Sequence, residues 1–333
     1  MSIKIAINGF GRIGRLTLRA LMERANEPIQ IVAINDLTDI DSIIHLLKYD
    51  SVHQKFKGNL KKIDNSLVIE DKEVKIFSSL DPAKLPWGKM NVDLVIESTG
   101  LFTEKIKASK HLEAGAKKVL ISAPSSDSDI TVVYGVNHND INLDQHKVIS
   151  NGSCTTNCLA PLVNILNDSF GIEIGYMTTV HSVTGDQNTI DTFHKDWRRS
   201  RNASLSMIPT STGAAKAVGK VLPEMIGKLD GSAIRVPTAN VSLIDFCFTS
   251  EVKTSVEDIN AKFLEMSKTT FDGIIDVEKD PLVSSDFNHN IHSAIIDCLE
   301  TKVVNDKFCR ILAWYDNEWG FSNRLLDVTK CLF

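Results

Sequence analysis

The start of the chain constrains it most. Ile3 to Ile7 reads IKIAI, a short apolar run of strand type, and it passes directly into Asn8-Gly9-Phe10-Gly11-Arg12-Ile13-Gly14. This G-x-G-x-x-G opens an amphipathic segment carrying Ile13, Leu16, Leu18 and Leu21. In a strand–turn–helix of this kind the first glycine makes the tight turn, the second lets backbone approach a pyrophosphate, and the third lets helix and strand pack closely. The helix that follows aims its N–H groups at phosphate. A second apolar run, Gln30 to Asn35, ends at Asp36, about 20 residues beyond the glycines, where a carboxylate takes ribose hydroxyls. A glycine turn in some other α/β unit would leave Asp36 unexplained. The combination reads as a dinucleotide-binding unit with Gly9, Gly11, Gly14 and Asp36 at work.

Length and composition set the outer limits. The chain has 333 residues, 43% hydrophobic and 24% charged, enough for two domains with their own cores. A formal charge of −5 argues against nucleic acid as the main partner. No apolar run approaches the length of a membrane helix, and the N-terminus enters a strand with no signal-peptide pattern. Six cysteines are spread without C-x-x-C pairs, which suggests reduced thiols in a cytoplasm and no metal site.

The pattern changes near residue 150. Before it, strands alternate with helices: Asp93 to Glu97, a helix near Lys105 to Ala114, Val119 to Ser122, then apolar stretches at Ile130 to Val136 and Lys147 to Ser150. The alternating, charged stretch between Phe56 and Phe77 reads as an antiparallel excursion. After residue 170, long runs (Tyr176 to Val180, Val241 to Phe248, Ala294 to Asp297, Cys309 to Trp314) are broken by few helices. The fold class expected is α/β: a Rossmann-type doubly wound domain over 1–150, and an α+β catalytic domain with a mostly antiparallel sheet over 151–315. A C-terminal helix over 316–333 is expected to pack back on the first.

The second site signal is Ser153-Cys154-Thr155-Thr156-Asn157-Cys158. Leu159, Leu162, Val163, Leu166 and Phe170 follow at helical spacing. A helix N-terminus favours a thiolate and welcomes anions, and Ser153 and Thr155 flank the sulfur with hydroxyls. Pro161 predicts a kink or a loose start. By spacing alone the cysteine is equally a small half-buried hydrophobe. His181 ends an apolar strand, where a histidine can serve as base to a cysteine or simply sit hydrogen-bonded at the surface. In the basic stretch Lys195 to Arg201, Arg198 beside Trp197 is the candidate phosphate holder, while Arg199 and Arg201 read as solvated charge or a subunit contact. Ser211 to Lys216 reads as a hydroxyl-capped helix start, a further anion seat. Arg235, in an otherwise buried stretch, requires an anionic ligand or carboxylate.

Taken in order, INGFGRIGR from Ile7, SCTTNCLAP from Ser153, HKDWRR from His194, STGAAKAVGKVLPE from Ser211, RVPTANVS from Arg235 and WYDNEWGFSNR from Trp314 resemble the phosphorylating glyceraldehyde-3-phosphate dehydrogenases from end to end. The resemblance implies Cys154 as nucleophile and His181 as its activating base. It implies NAD held by Arg12 and Ile13 through their backbone, by Asp36, by Ser122, and by Asn317 on the carboxamide. It implies Thr184 and Arg235 on the phosphate of glyceraldehyde 3-phosphate. Ser153, Thr155, Thr212 and Gly213, with Arg198 nearby, would hold the attacking inorganic phosphate. It also implies a homotetramer in the cytoplasm.

Three departures from the family pattern stand out. Thr192-Phe193 occupies a place where NAD-specific members carry an apolar residue and proline, which leaves use of NADP open although Asp36 repels a 2′-phosphate. Leu80 replaces a charged residue near the adenine, and Phe321 replaces tyrosine. Two other readings remain at this stage. One is the related erythrose-4-phosphate dehydrogenases, which DFNHNIHSAIID near Asp286 also resembles. The other is a non-catalytic interaction protein on the same scaffold, against which Cys154, His181, Arg235 and Asp36 all speak.

Overall fold

The computed structural model describes residues 2–333. They form two compact units. The first comprises the chain up to Val132, His138–Ser153 and Ser322–Phe333; the second comprises Val133–Asn137 and Cys154–Phe321.

Among the described residues, the first unit is built on a nine-stranded sheet. Ile3–Asn8 lies at its centre, between Ile29–Asn35 on one side and Leu94–Glu97 on the other, all parallel. Lys72–Phe77 extends the sheet beyond Ile29–Asn35, and the antiparallel strands Ser66–Ile69 and Leu60–Ile63 finish that edge. Lys118–Ile121, Val148–Ser150 and Ile130–Thr131 finish the other. The chain therefore winds outward from Ile3–Asn8 and then reverses through Leu94–Glu97. In such sheets the crevice at the carboxyl ends of the two strands flanking the reversal is where ligands bind. The near-continuous apolar burial of Ile3–Asn8 and Leu94–Glu97 is what a parallel sheet covered on both faces demands.

The stretch expected as one strand from Ile130 to Val136 divides. Only Ile130–Thr131 pairs in the first sheet, and Val133–Asn137 belongs with the second unit. The helix expected near Lys105 to Ala114 is two short ones, Lys105–Ala108 and Lys110–Glu113. The helix Trp319–Cys331 ends the chain. Its later part is fastened within the first unit by Arg24, which donates to Asn323 at 2.9 Å and Asp327 at 2.8 Å. The buried Lys118 holds the Leu332 carbonyl at 2.9 Å in the same way.

The second unit carries a mostly antiparallel eight-stranded sheet among the described residues. Ile172–His181 pairs parallel with Leu229–Arg235 and antiparallel with Ser242–Ser250, which in turn pairs with Phe308–Tyr315. Ser242–Ser250 alternates between buried and half-buried residues, because successive side chains point to opposite faces and one face is covered. The cover is the helix Cys154–Phe170, whose Leu159, Leu162, Val163 and Leu166 are fully buried in a core with Met177, Phe246, Phe248 and Ile311. That helix runs through Pro161 without interruption. A mid-helix proline removes one backbone bond, and packing of most of the helix's residues outweighs the loss. Registry does the rest of the positioning: His181 lies directly opposite Arg235.

Candidate active site

In the first unit the glycine-rich turn is held from behind. Gly9 has φ +90°, and a Cβ there would lie 2.7 Å from the Thr99 nitrogen. Gly14 packs so closely that a Cβ would meet the Gly9 carbonyl oxygen at 2.3 Å. Gly11 differs: it has ordinary backbone angles, and an added Cβ would touch nothing within 4 Å. It begins the helix Arg12–Glu23 without a side-chain cap, and a helix N-terminus of this kind favours an anion. Asp36 Oδ2 accepts from the Phe10 N–H at 2.6 Å and Oδ1 from the Thr38 N–H at 2.9 Å. The carboxylate thus braces the turn as well as standing at the strand end. Around it opens a cavity of about 300 Å³ lined by Gly9, Gly11, Asp36, Leu37, Leu80 and Leu101, among others. Ser122 stands at the end of a neighbouring strand, its N–H donating to the Glu97 carbonyl at 2.9 Å.

Two features here were not read from sequence. Asn8, Asn35 and Glu97 fall at one register across three strands. Asn35 Nδ2 donates to Asn8 Oδ1 at 2.7 Å and Asn8 Nδ2 to Glu97 Oε2 at 2.6 Å. Trp87 Nε1 donates to His111 Nδ1, which leaves His111 Nε2 to donate to Glu97 Oε2 at 3.0 Å. This buried network lies directly beneath the glycine turn, and Ser98 Oγ donates to the Gly9 carbonyl at 2.7 Å. The second feature is Asp50, the partner of the Arg12 guanidinium. Burial alone would raise its pKa, but the His53 N–H, the Arg12 charge and the Val52 N–H hold it at about 2. The Arg12 side chain is therefore committed to Asp50.

In the second unit Cys154 is the first residue of its helix, and its Sγ lies 3.5 Å from His181 Nε2. The imidazole is buried at the end of Ile172–His181, with Nδ1 2.8 Å from the Ser182 carbonyl and 2.5 Å from Arg235 Nη1. Arg235 Nη1 also donates to the Ser182 carbonyl at 3.1 Å, while the buried Arg235 Nε finds no partner among the described residues. A buried guanidinium nitrogen with nothing to bond calls for an anion. Tyr315 meets the His181 ring nearly at right angles, and its buried hydroxyl lies 2.9 Å from both Thr155 Oγ1 and Thr179 Oγ1.

The electrostatics run against the expected thiolate. Burial pushes the Cys154 pKa above its ordinary 9.0, and the lowering effects of Arg235, the Thr155 hydroxyl and the backbone N–H groups do not reverse it. Burial and then Arg235 drive His181 down to about 3. Desolvation exceeds the helix-end field, so the resting pair is a thiol beside a neutral imidazole. Such an imidazole is ready to accept a proton.

The remaining candidates divide. Thr184 lies close by in the chain, with its N–H donating to Gln187 Oε1 at 3.1 Å. Thr212 and Gly213 open the helix Ala214–Val221, Thr212 Oγ1 accepting from the Ala214 N–H at 3.2 Å. Thr155 is only 4% exposed and its hydroxyl is turned to Tyr315, so the structure does not present it to a phosphate seat. Ser153 precedes Cys154 but belongs with the first unit. Arg198 is exposed, its N–H donating to Asp196. Arg199 is the arginine turned inward: it donates to Thr210 Oγ1 at 3.0 Å, to Asp186 at 2.6 Å and to the Ser211 carbonyl at 3.4 Å. Its charge is felt by both His181 and Arg235. The structure thus replaces Arg198 by Arg199 in this cluster, because the bend after Trp197 turns only the second arginine toward Thr210–Ser211. No metal-holding group of His, Cys, Asp or Glu occurs among the described residues.

Two family models match the chain: the NAD-binding domain of glyceraldehyde 3-phosphate dehydrogenase over residues 3–105 and the C-terminal domain of the same enzyme over 153–317. The chain belongs to the glyceraldehyde-3-phosphate dehydrogenase family. It is 52% identical over 330 residues to the glyceraldehyde-3-phosphate dehydrogenase of Priestia megaterium, covering 99% of this chain and 98% of that one. Against the Xanthobacter flavus enzyme the identity is 52% over 332 residues, covering 100% and 99%. Glyceraldehyde-3-phosphate dehydrogenase 1 of Bacillus subtilis is 51% identical over 328 residues, covering 98% and 97%.

NAD is the cofactor of this dehydrogenase, and the first unit fits it. Gly11, against which nothing in the protein presses, leaves room for close approach of a pyrophosphate. Asp36 lines the same cavity, and Leu37, Leu80 and Leu101 offer apolar surface beside it.

Proposed function

We propose that the chain oxidises D-glyceraldehyde 3-phosphate to 1,3-bisphosphoglycerate through a thioester on Cys154, with His181 as general base. The observation that carries this reading is the Sγ–Nε2 approach of 3.5 Å beside a buried arginine with an unbonded nitrogen. The tautomer with Nδ1–H donated to the Ser182 carbonyl leaves the Nε2 lone pair facing the thiol. Arg235 Nη1 lies beside the same Nδ1 and donates to the same Ser182 carbonyl, so a phosphate bonded to the guanidinium would favour that tautomer.

Nε2 takes the thiol proton as sulfur adds to the aldehyde carbon, and returns it to the carbonyl oxygen to give a hemithioacetal. Nε2 then accepts that hydroxyl proton as the carbon gives up a hydride. NAD, when bound, supplies the hydride acceptor. A phosphate oxygen attacks the resulting thioester, the carbon–sulfur bond breaks, and an acyl phosphate leaves with Cys154 restored. Arg235 and Thr184 would hold the substrate's phosphate, and Arg199 with Thr212 and Gly213 the incoming one. Ser122 and Asn317, with the Arg12 and Ile13 backbone, would complete the cofactor's contacts. Product analysis tests this: the acyl phosphate should form only with inorganic phosphate present, and phosphate-independent release of free acid would overturn the reading in favour of an erythrose-4-phosphate dehydrogenase type.

We further read the chain as a cytoplasmic homotetramer. Support for assembly comes from Ile190, Phe193, Trp197, Leu205 and Met207, which are 69% to 88% exposed on one segment of the second unit, more apolar surface than a monomer normally leaves in water. Six free cysteines favour a reducing compartment. No helix among the described residues is long and apolar enough to cross a membrane.

A further inference from the structure

Asn317 is held unusually firmly for a residue with a free end. Its Oδ1 accepts from Ser182 Oγ at 2.8 Å and from Ser242 Oγ at 2.9 Å. The Ser242 oxygen already accepts from the Ser182 N–H at 3.1 Å, so its own proton is directed onward to Oδ1. Ser182, Ser242 and Asn317 are 0%, 2% and 5% exposed. Asn317 Nδ2 takes no partner among the described residues. Turning the amide over would set its NH₂ against two hydroxyls and deprive both hydroxyl protons of this acceptor, a costly exchange for buried groups.

We propose that Ser182 and Ser242 are positioning residues that fix Asn317 as a hydrogen-bond donor toward the carboxamide oxygen of NAD, and so decide which ring substituents the enzyme accepts. This rests on the reading that Asn317 meets the carboxamide. The selectivity arises because a carbonyl on the ring satisfies Nδ2, whereas a substituent offering only N–H donors meets another donor. Catalysis by Cys154 does not depend on these hydroxyls directly; what they set is the direction of one amide.

The test compares dissociation constants, measured by equilibrium titration, for NAD, for 3-aminopyridine adenine dinucleotide, which lacks the carbonyl, and for ADP-ribose, which lacks the ring. The unaltered protein should prefer NAD over the amino analogue by about tenfold or more, the value of one well-made hydrogen bond with its desolvation. Ser182→Ala with Ser242→Ala should bring that preference to about threefold or less, with the single variants between, while ADP-ribose affinity stays unchanged. Ser242→Thr, which keeps a hydroxyl, should retain the preference. If Asn317→Ala abolishes the preference and the serine variants keep it, the positioning role is wrong while the Asn317 contact stands. Should Asn317→Ala keep the preference, the contact itself is wrong and the proposal falls with it. A parallel loss of ADP-ribose affinity would show a general structural effect and overturn it as well. If the double variant does not fold, the single variants decide on the same terms.

Discussion

The three glycines of the turn should separate cleanly into structural and ligand-facing roles when each is replaced by alanine. At Gly14 the new methyl carbon would sit 2.3 Å from a backbone oxygen and 3.1 Å from Ile7 Cγ2, neither of which can move without opening the sheet. Overpacking of this kind costs about 1–3 kcal/mol or more. At Gly9 the clash with the Thr99 backbone at 2.7 Å adds to a left-handed φ of +90°, itself worth about 1–2 kcal/mol. Gly11 has neither problem, so Gly11→Ala should leave the cofactor-free protein within about 0.5 kcal/mol of the parent. Its cost should appear only when NAD binds. A methyl in the path of the pyrophosphate should weaken affinity about 5- to 150-fold, the same 1–3 kcal/mol charged to the complex. Thermal melts without cofactor and titrations with NAD measure the two effects. Gly9→Ala and Gly14→Ala should melt several degrees lower, at about 2–4 °C per kcal/mol. Wild-type NAD affinity in Gly11→Ala, or a melting loss there equal to that of Gly14→Ala, would refute the reasoning.

Cys154 alkylation without ligands should rise steadily with pH toward a midpoint above 9.0, with no step near 6.5, because burial raises the thiol and holds the imidazole neutral; a step near 6.5 would reveal an imidazolium–thiolate pair instead. The same depression gives a stability signature. With a folded pKa near 3 against an ordinary 6.5, His181 contributes stability that is fully present above 6.5 and lost as pH falls toward 3. His181→Asn should therefore flatten the fall in unfolding free energy by about 1.4 kcal/mol per pH unit in that window, and an unchanged slope in pH-dependent denaturant melts would contradict it. Arg199→Leu should raise the KM for inorganic phosphate about 10- to 100-fold, the loss of charge-assisted bonds, while Arg198→Leu changes it little. Initial rates against phosphate concentration decide, and the opposite ranking would restore Arg198.

What could be read without coordinates was local. The glycine turn, Asp36 and the strand before them lie within one stretch of chain, and their spacing alone carries the geometry. Cys154 and His181 could be nominated from a helix start and a strand end, and the match of residues along the chain joined them. What escaped depended on strand register and on packing. Asn8, Asn35 and Glu97 meet only because three parallel strands end level. Nothing in the sequence near Asn8 announces a buried carboxyl 89 residues away. Polar residues closing three successive apolar strands were the available signal. Arg199 and Arg198 are adjacent and chemically identical, and a loop bend chooses between them. The helix-end field on Cys154 is visible in sequence, whereas the desolvation that overrides it is not.

Mass spectrometry of the enzyme after mixing with NAD and glyceraldehyde 3-phosphate, with phosphate withheld, reads the covalent step at Cys154 itself. A phosphoglyceroyl group is expected on the Cys154 peptide and on no other cysteine, discharged as acyl phosphate when phosphate is added. An unmodified Cys154 under turnover conditions, or an acyl group that phosphate does not discharge, would contradict the thioester mechanism.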